Sequence, residues 1–512
     1  MRRASVSFVW LLFASVGWSD VRLPAVFGDH MVLQREAPVP VWGWADAGEA
    51  VTVSVGGQKK TTTSGADGRW SVTLDPLKAG EPVELTVAGK TTRTFKDVLI
   101  GEVWIGSGQS NMAFTLDRAV DAAAEIAAAQ FPKIRLFTVK RTTALEPQTD
   151  CEGSWSACSP ETAKTFSAVA YFFGRELHRT LDLPVGLIHS SWGGTPAEAW
   201  TSRPALEAEP DFRPILDRRD QAVAAWPKAK AKHEQATAAW KAAAAKAKAE
   251  KKPAPAPPPE PAGPGNPHGA SVLYNAMIAP LVPFAVRGAI WYQGEANAGR
   301  AFQYRKLLPA MIRDWRAAWG RGDFPFLIVQ LANFKDAKPE PGDDDWAELR
   351  EAQSMTLAAS PNTGLAVTID IGEAKDIHPK NKQDVGRRLA RVALAKTYGK
   401  DVVWTGPVYA AMKSGEGKLR LTFRPEGGPP AAKGGGPLKG FVVAGEDKAF
   451  VWADAVLDGD VVVVSSPKVP NPVAARYAWA SNPEGCNLVN AEGLPASPFR
   501  TDDWPGVTDK NR

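Results

Sequence analysis

Residues 98–108 read VLIGEVWIGSG and lead directly into Gln109, Ser110 and Asn111. An apolar run of this kind, ending in small residues, is typical of a strand buried on both faces of a parallel sheet. Five similar runs follow: KIRLFTV (133–139), VGLIHSSWGG (185–194), GAIWYQGE (288–295), FLIVQLANF (326–334) and GLAVTID (364–370). Segments with helical periodicity separate them. The alternation predicts an α/β fold, with a mainly parallel sheet covered by helices on both sides.

The sequence on either side of this region favours antiparallel β structure. Residues 20–97 contain short alternating runs such as PVPVWGW and GRWSVTL, broken by turns, and similar runs return after residue 400 in GKLRLTF and DGDVVVVSS. We therefore expect an N-terminal β domain at 20–97, an α/β domain at 98–400 and a C-terminal β domain at 401–512. The two flanking domains should resemble β-sandwiches.

Residues 226–264 interrupt the α/β region with an unusual composition. The first part is rich in Ala and Lys and favours a helix, whereas the second contains PAPAPPPEPAGP and favours polyproline II. The segment carries eight lysines and three glutamates, and its net charge of +5 equals that of the whole chain. The rest of the chain is thus near neutral, and a nucleic-acid partner is not expected. We expect a surface insertion.

The N-terminus has the pattern of an export signal. Arg2 and Arg3 precede the apolar stretch ASVSFVWLLFASVGW, and Gly17 and Ser19 supply small residues for cleavage. We expect a signal peptide at residues 1–19 and a secreted or periplasmic protein, the alternative being an N-terminal helix that anchors the chain. No later stretch is apolar enough for a membrane span.

Cysteine and metal chemistry are weakly represented. Of the three cysteines, Cys151 and Cys158 are close enough to form a disulfide, which leaves Cys486 over. No CxxC pair or Cys/His cluster indicates a metal site. No glycine-rich phosphate loop follows a strand in the required form, so no cofactor is expected.

Polar side chains collect where the predicted strands end. In open parallel sheets the reactive groups lie at the carboxyl edge of the strands. The candidates there are Ser110, residues 190–194, residues 293–295 and the stretch Asp376–Pro379. A serine nucleophile needs a base, a group that orients the base, and donors for the oxyanion. The four stretches that follow these strands contain side chains or backbone groups suited to each of these roles.

Histidine positions narrow the choice of base. Three of the six histidines lie in a predicted helix, in the Lys-rich insertion or in the N-terminal β region, and these are set aside as bases. The remaining candidates are His189, His268 and His378. His189 could serve Ser190 or Ser191, but neither serine lies in a GxSxG elbow. His378 has an aspartate two residues before it. An Asp/His pair at a helix entry is also compatible with a surface loop, so both interpretations stay open at this point.

Four blocks in this order resemble the sialate O-acetylesterase family of SGNH-type hydrolases. They are GQSNM (108–112), SSWGGTPAEAW (190–200), WYQGEAN (291–297) and DIHPKNKQDVGRRLA (376–390). The C-terminal stretches ARYAWASNP and GLPASPFRTDDW resemble the closing region of the same family. The resemblance implies an SGNH-like, flavodoxin-like three-layer domain and a carbohydrate esterase with no metal or cofactor.

Carried over position by position, the resemblance implies Ser110 as nucleophile and His378 as base. The oxyanion would be held by the Ser110 N–H, an N–H of Gly193 or Gly194, and the Gln293 side chain, although the wider superfamily has asparagine in that block. The wider pattern Asp-x-x-His is also broken, since Lys375 stands three residues before His378. Asp376 is the first choice of acid and Glu295 the competitor.

These expectations describe an exported serine esterase that removes O-acetyl groups from a carbohydrate through an acetyl-enzyme intermediate. An acetylxylan or other polysaccharide deacetylase would use the same chemistry. A non-catalytic carbohydrate-binding protein is the alternative from another class, because two β domains and 19 tryptophans offer stacking surfaces for sugar rings. A complete Ser/His/acid set favours catalysis, since binding does not need it.

Overall fold

The computed structural model describes residues 20–512, so the predicted signal peptide lies outside the described residues. The strands before residue 109 are β1 (Val32–Gln34), β2 (Val39–Trp44), β3 (Ala50–Val55), β4 (Gln58–Thr63), β5 (Arg69–Leu74), β6 (Val83–Ala88) and β7 (Thr92–Gly108). Those that follow up to residue 366 are β8 (Phe131–Thr138), β9 (Trp155–Cys158), β10 (Val185–Ser191), β11 (Gly288–Tyr292), β12 (Phe326–Val329) and β13 (Thr363–Ala366). Each of the six runs quoted from the α/β region overlaps one of these strands.

The central sheet has the strand order β13-β12-β11-β7-β10-β8-β9. Neighbouring strands from β13 to β8 are all parallel, and β9 is added antiparallel at the edge next to β8. The prediction of an α/β fold with a mainly parallel sheet is confirmed, with the qualification that the sheet is mixed. β7 lies in the middle, between β10 and β11, so the residue that follows β7 sits at the centre of the carboxyl edge.

Strand β7 also joins the N-terminal β structure to the central sheet. Its first half pairs antiparallel with β6, its middle pairs parallel with β1, and its second half pairs with β10 and β11. The expected domain boundary between residues 97 and 98 therefore falls inside one continuous strand. Elsewhere in this region β3 pairs with β4 and β6, and β2 with β5.

The helices are α1 (Ser110–Ala113), α2 (Ala122–Ala127), α3 (Pro160–Lys164), α4 (Ala168–Leu181), α5 (Arg203–Glu207), α6 (Arg213–Ala249), α7 (Ala301–Trp319), α8 (Asp345–Ala359) and α9 (Lys382–Lys396). Helix α4 packs on α9, and α7 packs on α8. The apolar face of α7 is fully inside the core, where Trp315 lies between the rings of Trp291 and Trp319. Among residues 20–512, no helix is long and apolar enough to cross a membrane.

The insertion forms an arm made of one long helix and a returning coil. Helix α6 begins at Arg213, well before the compositional boundary at residue 226, and its first turns are buried through Ile215 and Leu216. The coil then runs back along the helix. The Trp240 indole N–H donates to the carbonyl of Pro255 at 2.7 Å, and Gly263 packs against the ring of Trp226. The helical prediction holds, and the arm begins within the folded body.

The chain after residue 400 is built from short antiparallel strands. They are β14 (Val408–Gly415), β15 (Lys418–Arg424), β16 (Ala431–Ala432), β17 (Phe441–Ala444), β18 (Val451–Trp452), β19 (Asp454–Asp458), β20 (Val461–Ser465), β21 (Ala474–Tyr477), β22 (Leu488–Val489) and β23 (Phe499–Arg500). They form the sheets β14-β15-β20-β19 and β18-β17-β21-β23 and the pair β16-β22. Cys151, Cys158 and Cys486 are free thiols.

Candidate active site

Ser110 begins the short helix α1 directly after the central strand β7. The turn depends on Gly108, whose φ of +136° is one that L side chains rarely adopt and at which a Cβ atom would lie 2.1 Å from the carbonyl oxygen of Tyr292. The backbone N–H of Gln109 donates to that same carbonyl at 2.9 Å. The two contacts hold Ser110 at the carboxyl edge of the sheet, between the exits of β10 and β11.

His378 faces Ser110 from the loop between β13 and α9. Its Nε2 lies 2.8 Å from Ser110 Oγ, a hydrogen-bonding distance. The Asn381 side chain caps α9 by accepting from the N–H of Asp384, which fixes the end of this loop. Burial lowers the pKa of His378 against the opposing effect of Asp376. The imidazole is therefore neutral near pH 7 and able to accept a proton.

The two candidate acids have different positions. Asp376 Oδ1 lies 3.6 Å from His378 Nδ1 and also accepts the backbone N–H of His378 at 2.8 Å. Glu295 instead accepts a hydrogen bond from Asn111 Nδ2 at 2.6 Å, and it contacts no atom of the imidazole. Its second carboxylate oxygen is buried without a partner among the described residues. The structure thus brings Asp376 to the imidazole and places Glu295 behind the nucleophile.

A buried polar cluster connects the nucleophile loop to the histidine loop. Asn111 Nδ2 donates to the carbonyl of Ile377 at 2.9 Å as well as to Glu295, and Asn111 Oδ1 accepts from Lys382 Nζ at 2.6 Å. Asn111 follows Ser110 and Ile377 precedes His378, so this side chain connects the loop of Ser110 to the loop of His378.

Lys382 and Glu295 are buried ionisable groups that share this cluster. Lys382 is 0% exposed, and its Nζ lies over the rings of Phe114 and Tyr292. Burial lowers the pKa of Lys382 to about 7, and burial raises the pKa of Glu295. Lys382 was not singled out from the sequence, although it stands in the DIHPKNK block, four residues after His378.

The glycines after β10 lie against Ser110. A Cβ atom on Gly193 would be 3.3 Å from Ser110 Cβ, so a side chain there would crowd the nucleophile. Among the described residues, the backbone N–H groups of Ser110, Gly193 and Gly194 donate to no intramolecular acceptor. These are free donors beside Ser110 Oγ, of the kind that an oxyanion requires.

Gln293 has a different environment from the one that the resemblance implied. It is 0% exposed, and its Nε2 donates to the carbonyl of Thr195 at 3.2 Å and to Asn297 Oδ1 at 2.7 Å. Its Oε1 accepts from the hydroxyl of Tyr304 at 2.8 Å. Because both amide hydrogens are used inside the protein, the structure gives Gln293 a framework role and no free donor towards Ser110. Asn297, at the end of the WYQGEAN block, completes this framework and was not singled out from the sequence.

The other serines and histidines considered from the sequence are not arranged for attack. His189 Nε2 lies 2.6 Å from Ser191 Oγ, but both side chains are buried, and burial lowers the pKa of His189 to about 3. Ser190 is fully buried and donates to the carbonyl of Met277. His268 is exposed and lies near Gly194, away from any serine contact.

A cavity of about 390 Å³ adjoins the site, and we call it the arginine cavity. Gly194 and Ala296 form its border towards Ser110, whereas its far wall comes from the first turns of α6 and from the end of the arm, at residues 262–264. Its charged lining residues are Arg218, Arg219, Arg300 and Glu198, and His268 also lines it.

Positive charge dominates the arginine cavity. Arg300 pairs with Glu198 at 2.5 Å, but its Nε is buried without a partner among the described residues. Arg218 Nη1 donates to the backbone oxygen of Arg512 at 2.5 Å, and burial together with the charge of Arg300 lowers the pKa of Arg218. The lining thus carries three guanidinium groups and one carboxylate, and Asp220, outside the lining, also pairs with Arg219 at 3.7 Å. Within the same residues, no group of His, Cys, Asp and Glu side chains could hold a metal ion.

Comparisons with known proteins agree with this geometry. The family described as "Carbohydrate esterase, sialic acid-specific acetylesterase" matches residues 266–395. Sialate O-acetylesterase from Homo sapiens is 31% identical over 560 aligned positions, covering 97% of each chain, and that from Rattus norvegicus is 35% identical over 439 positions, covering 76% of each. A crystal structure of a carbohydrate acetylesterase from Xanthomonas citri superposes with a TM-score of 0.81 at 40% identity, covering 95% of this chain and all of that one. The chain belongs to the sialate O-acetylesterase family.

Proposed function

We propose that this protein is a serine esterase that removes O-acetyl groups from carbohydrates, with Ser110 as nucleophile and His378 as general base. The observation that carries the proposal is the distance of 2.8 Å between Ser110 Oγ and His378 Nε2 at the carboxyl edge of the sheet. Membership of the family supports the activity. The reaction is a double displacement, because the serine hydroxyl is the group that the histidine can activate.

In the first step Ser110 Oγ attacks the acetyl carbonyl carbon while His378 Nε2 accepts the hydroxyl proton. Negative charge then develops on the carbonyl oxygen, next to the free N–H groups of Ser110 and of Gly193 or Gly194, which we propose as the oxyanion hole. His378 returns the proton to the sugar oxygen as the carbon–oxygen bond breaks. A water molecule, deprotonated by the same imidazole, hydrolyses the acetyl-enzyme and regenerates Ser110.

We propose Asp376 as the acid of the triad. Its carboxylate is on the Nδ1 side of the imidazole, away from Ser110, and there it favours both the productive orientation and the protonated ring that forms during attack. The separation of 3.6 Å exceeds a direct hydrogen bond, as is common in unliganded active sites. Glu295 is proposed to act through Asn111 on the geometry of the site.

The arginine cavity supports a sugar that carries a carboxylate. Its guanidinium groups outnumber its carboxylates, and a buried positive charge is stabilised by an anionic ligand. Because the cavity begins at Gly194, an acidic sugar held there would lie beside the nucleophile. The sialate named for the relatives has this chemistry. A neutral acetylxylan is the second candidate, and it would leave the arginines without a ligand.

The remaining expectations are also part of the proposal. We propose an SGNH-type three-layer domain at 98–400, flanked by β-sandwich-like domains at 20–97 and 401–512. The pattern of residues 1–19 supports export to the periplasm or the medium.

The test of the catalytic proposal is Ser110→Ala. The variant should lose hydrolysis of an aryl acetate and labelling by a serine-directed phosphonate, while its thermal unfolding stays unchanged. Retained activity would overturn the assignment of Ser110.

The substrate is tested separately with Arg218→Gln. This variant should have a lower kcat/KM for O-acetylated sialate or uronate. Its kcat/KM for an aryl acetate and for acetylated xylooligosaccharides should be unchanged. Equal effects on all three would remove the carboxylate subsite.

A further inference from the structure

A second cleft lies away from Ser110, between the loop at residues 335–345 and the sheet formed by β17, β18 and β21. We call it the C-terminal cleft, and it is lined mainly by Phe450, Trp452 and Trp479, with Lys338, Glu340 and Glu484. Its enclosed volume is about 190 Å³, below the usual range of small-ligand pockets, so it suits a single small ring and not a larger ligand. It contains none of the residues of the active site or of the arginine cavity.

Trp452 is the unusual side chain of this cleft. It is 50% exposed, and it is the single aromatic residue among the exposed large hydrophobic side chains of residues 20–512. Its indole N–H donates to the carbonyl of Pro339 at 2.9 Å, so the ring is held in place across the mouth of the cleft. An exposed aromatic ring of fixed orientation is suited to an apolar face of a ligand, because contact removes its surface from water.

The other lining groups show which ligand would fit. Lys338 and Arg476 balance Glu340 and Glu484 in charge, and Arg476 is further compensated by Asp343 and Asp502. Because Asp344 also pairs with Lys338 at 3.1 Å, an anionic ligand gains nothing from this lining. The Trp479 indole N–H is buried without an acceptor among the described residues, and Trp479 itself is 8% exposed. A buried donor without a partner is destabilising until a ligand oxygen supplies one.

We propose that the C-terminal cleft is a second binding site, for a neutral saccharide. A pyranose ring has an apolar face of C–H groups that can cover Trp452, and hydroxyl groups that can accept from Trp479 and bond to Lys338 and Glu340. Such a ligand carries no negative charge and is flat on one side, which matches the lining. The tryptophan content of the sequence suggested surfaces on which sugar rings could stack. In this proposal, such a surface belongs to an esterase and lies apart from its active site.

The loop that walls the cleft also contacts the loop of the catalytic histidine. Asn333 Oδ1 accepts the N–H of Gly372 at 2.6 Å, and the N–H of Lys335 donates to the carbonyl of Ala374 at 3.0 Å.

The bound sugar has two possible sources, the glycan that carries the acetyl ester or a separate polysaccharide chain. The chemistry at the cleft is the same for both.

The experiment measures binding of neutral hexasaccharides, xylohexaose and mannohexaose, to the full chain carrying Ser110→Ala, by calorimetry. We expect millimolar or tighter binding, and a loss of at least tenfold on adding Trp452→Ala. Trp240→Ala is the matched control, because that indole also donates to a proline carbonyl but lies on the arm. Hexagalacturonate, an acidic probe, should not compete.

A second variant guards against a change in folding at Trp452. Gly342 lines the cleft, its φ is not positive, and a Cβ atom there would meet no atom within 4 Å. Gly342→Leu should therefore obstruct the cleft without strain and weaken binding to the same degree. No binding by the parent chain at 10 mM sugar would overturn the proposal, and so would binding by the Trp452 and Gly342 variants that is as tight as binding by the parent chain.

Steady-state kinetics decide the source of the sugar, and they are measured on protein in which Ser110 is intact. If the cleft holds the substrate chain, Trp452→Ala raises KM for an acetylated polysaccharide and leaves kcat unchanged. If it holds a separate chain, KM stays constant while hexasaccharide binding is lost. Aryl-acetate hydrolysis should be unchanged in both cases, and its absence in the parent protein would count against the proposed esterase, whereas the binding result would stand.

Discussion

Asp376→Asn is the substitution that most directly tests how the site works. The carboxylate lies 3.6 Å from His378 Nδ1, and opposite unit charges near 4 Å interact by about 1 kcal/mol in water and by about 4 kcal/mol near a protein surface. The Asp376 side chain is 45% exposed, so solvent screening keeps the value towards the lower limit. With tenfold in rate for each 1.4 kcal/mol, an interaction of about 1–2 kcal/mol corresponds to a fall in kcat of about 5- to 30-fold.

The dependence of kcat/KM on pH should also shift in a defined direction in the Asp376→Asn variant. Asp376 raises the pKa of His378 while burial lowers it, so removing the carboxylate should lower that pKa further. The base is active when neutral, and the acid limb of kcat/KM therefore moves to lower pH in Asp376→Asn. Glu295→Gln should move it the other way. Without Glu295, Lys382 loses its proton more easily, and the repulsion that lowers the pKa of His378 is relieved.

The assay is hydrolysis of an aryl acetate from pH 4.5 to 9, with thermal unfolding to establish that each variant is folded. A larger loss of kcat in Glu295→Gln than in Asp376→Asn would refute this assignment of the acid. Two small effects would refute it as well, and would describe a Ser/His pair assisted by backbone or water.

Three further predictions follow from the buried groups and the arm. Lys382→Met should shift the acid limb of kcat/KM to higher pH, because its charge lowers the pKa of His378, whereas Lys396→Met at the other end of α9 should not shift it. Gln293→Ala should destabilise the fold by about 1–3 kcal/mol, because the buried partners of the amide are left unpaired, and kcat of the folded protein should fall less than tenfold. A loss of about 10²–10³ in kcat at unchanged Tm would instead assign the Gln293 amide to the oxyanion hole. Replacing 226–264 by a short Gly/Ser loop should leave aryl-acetate kcat/KM within a few-fold, and a collapse in kcat would make the arm part of the catalytic site.

The sheet could be predicted from the sequence because it depends on local patterns. Continuous apolar runs are typical of strands buried on both faces, and polar residues directly after such strands meet at the carboxyl edge. This rule placed Ser110 and His378 among several candidates, and the family resemblance then implied their roles. Asp376 was the first choice of acid because it stands two residues before His378 on one loop.

Contacts between distant segments account for what the sequence did not predict. A lysine in the first turn of a helix is ordinarily exposed, and Lys382 is buried only because Phe114 and Tyr292 cover it. Gln293 had the right residue type for an oxyanion donor, but the positions of Thr195 and Tyr304 that engage its amide are set by other elements. Side-chain chemistry at a strand exit is thus predictable, whereas the direction in which an amide points is not.

The arm shows why composition alone misjudges a segment of this kind. Its middle is polar, exposed and without apolar periodicity, and from the sequence it is dispensable for the chemistry of Ser110. Its two ends nevertheless line the arginine cavity, through the first turns of α6 and residues 262–264. A neutral aryl acetate makes no use of that cavity, whereas an acidic sugar would. The same deletion can therefore be silent in one assay and costly in the other, so the ratio of kcat/KM for acidic and neutral acetyl esters is the quantity that reveals what the arm does.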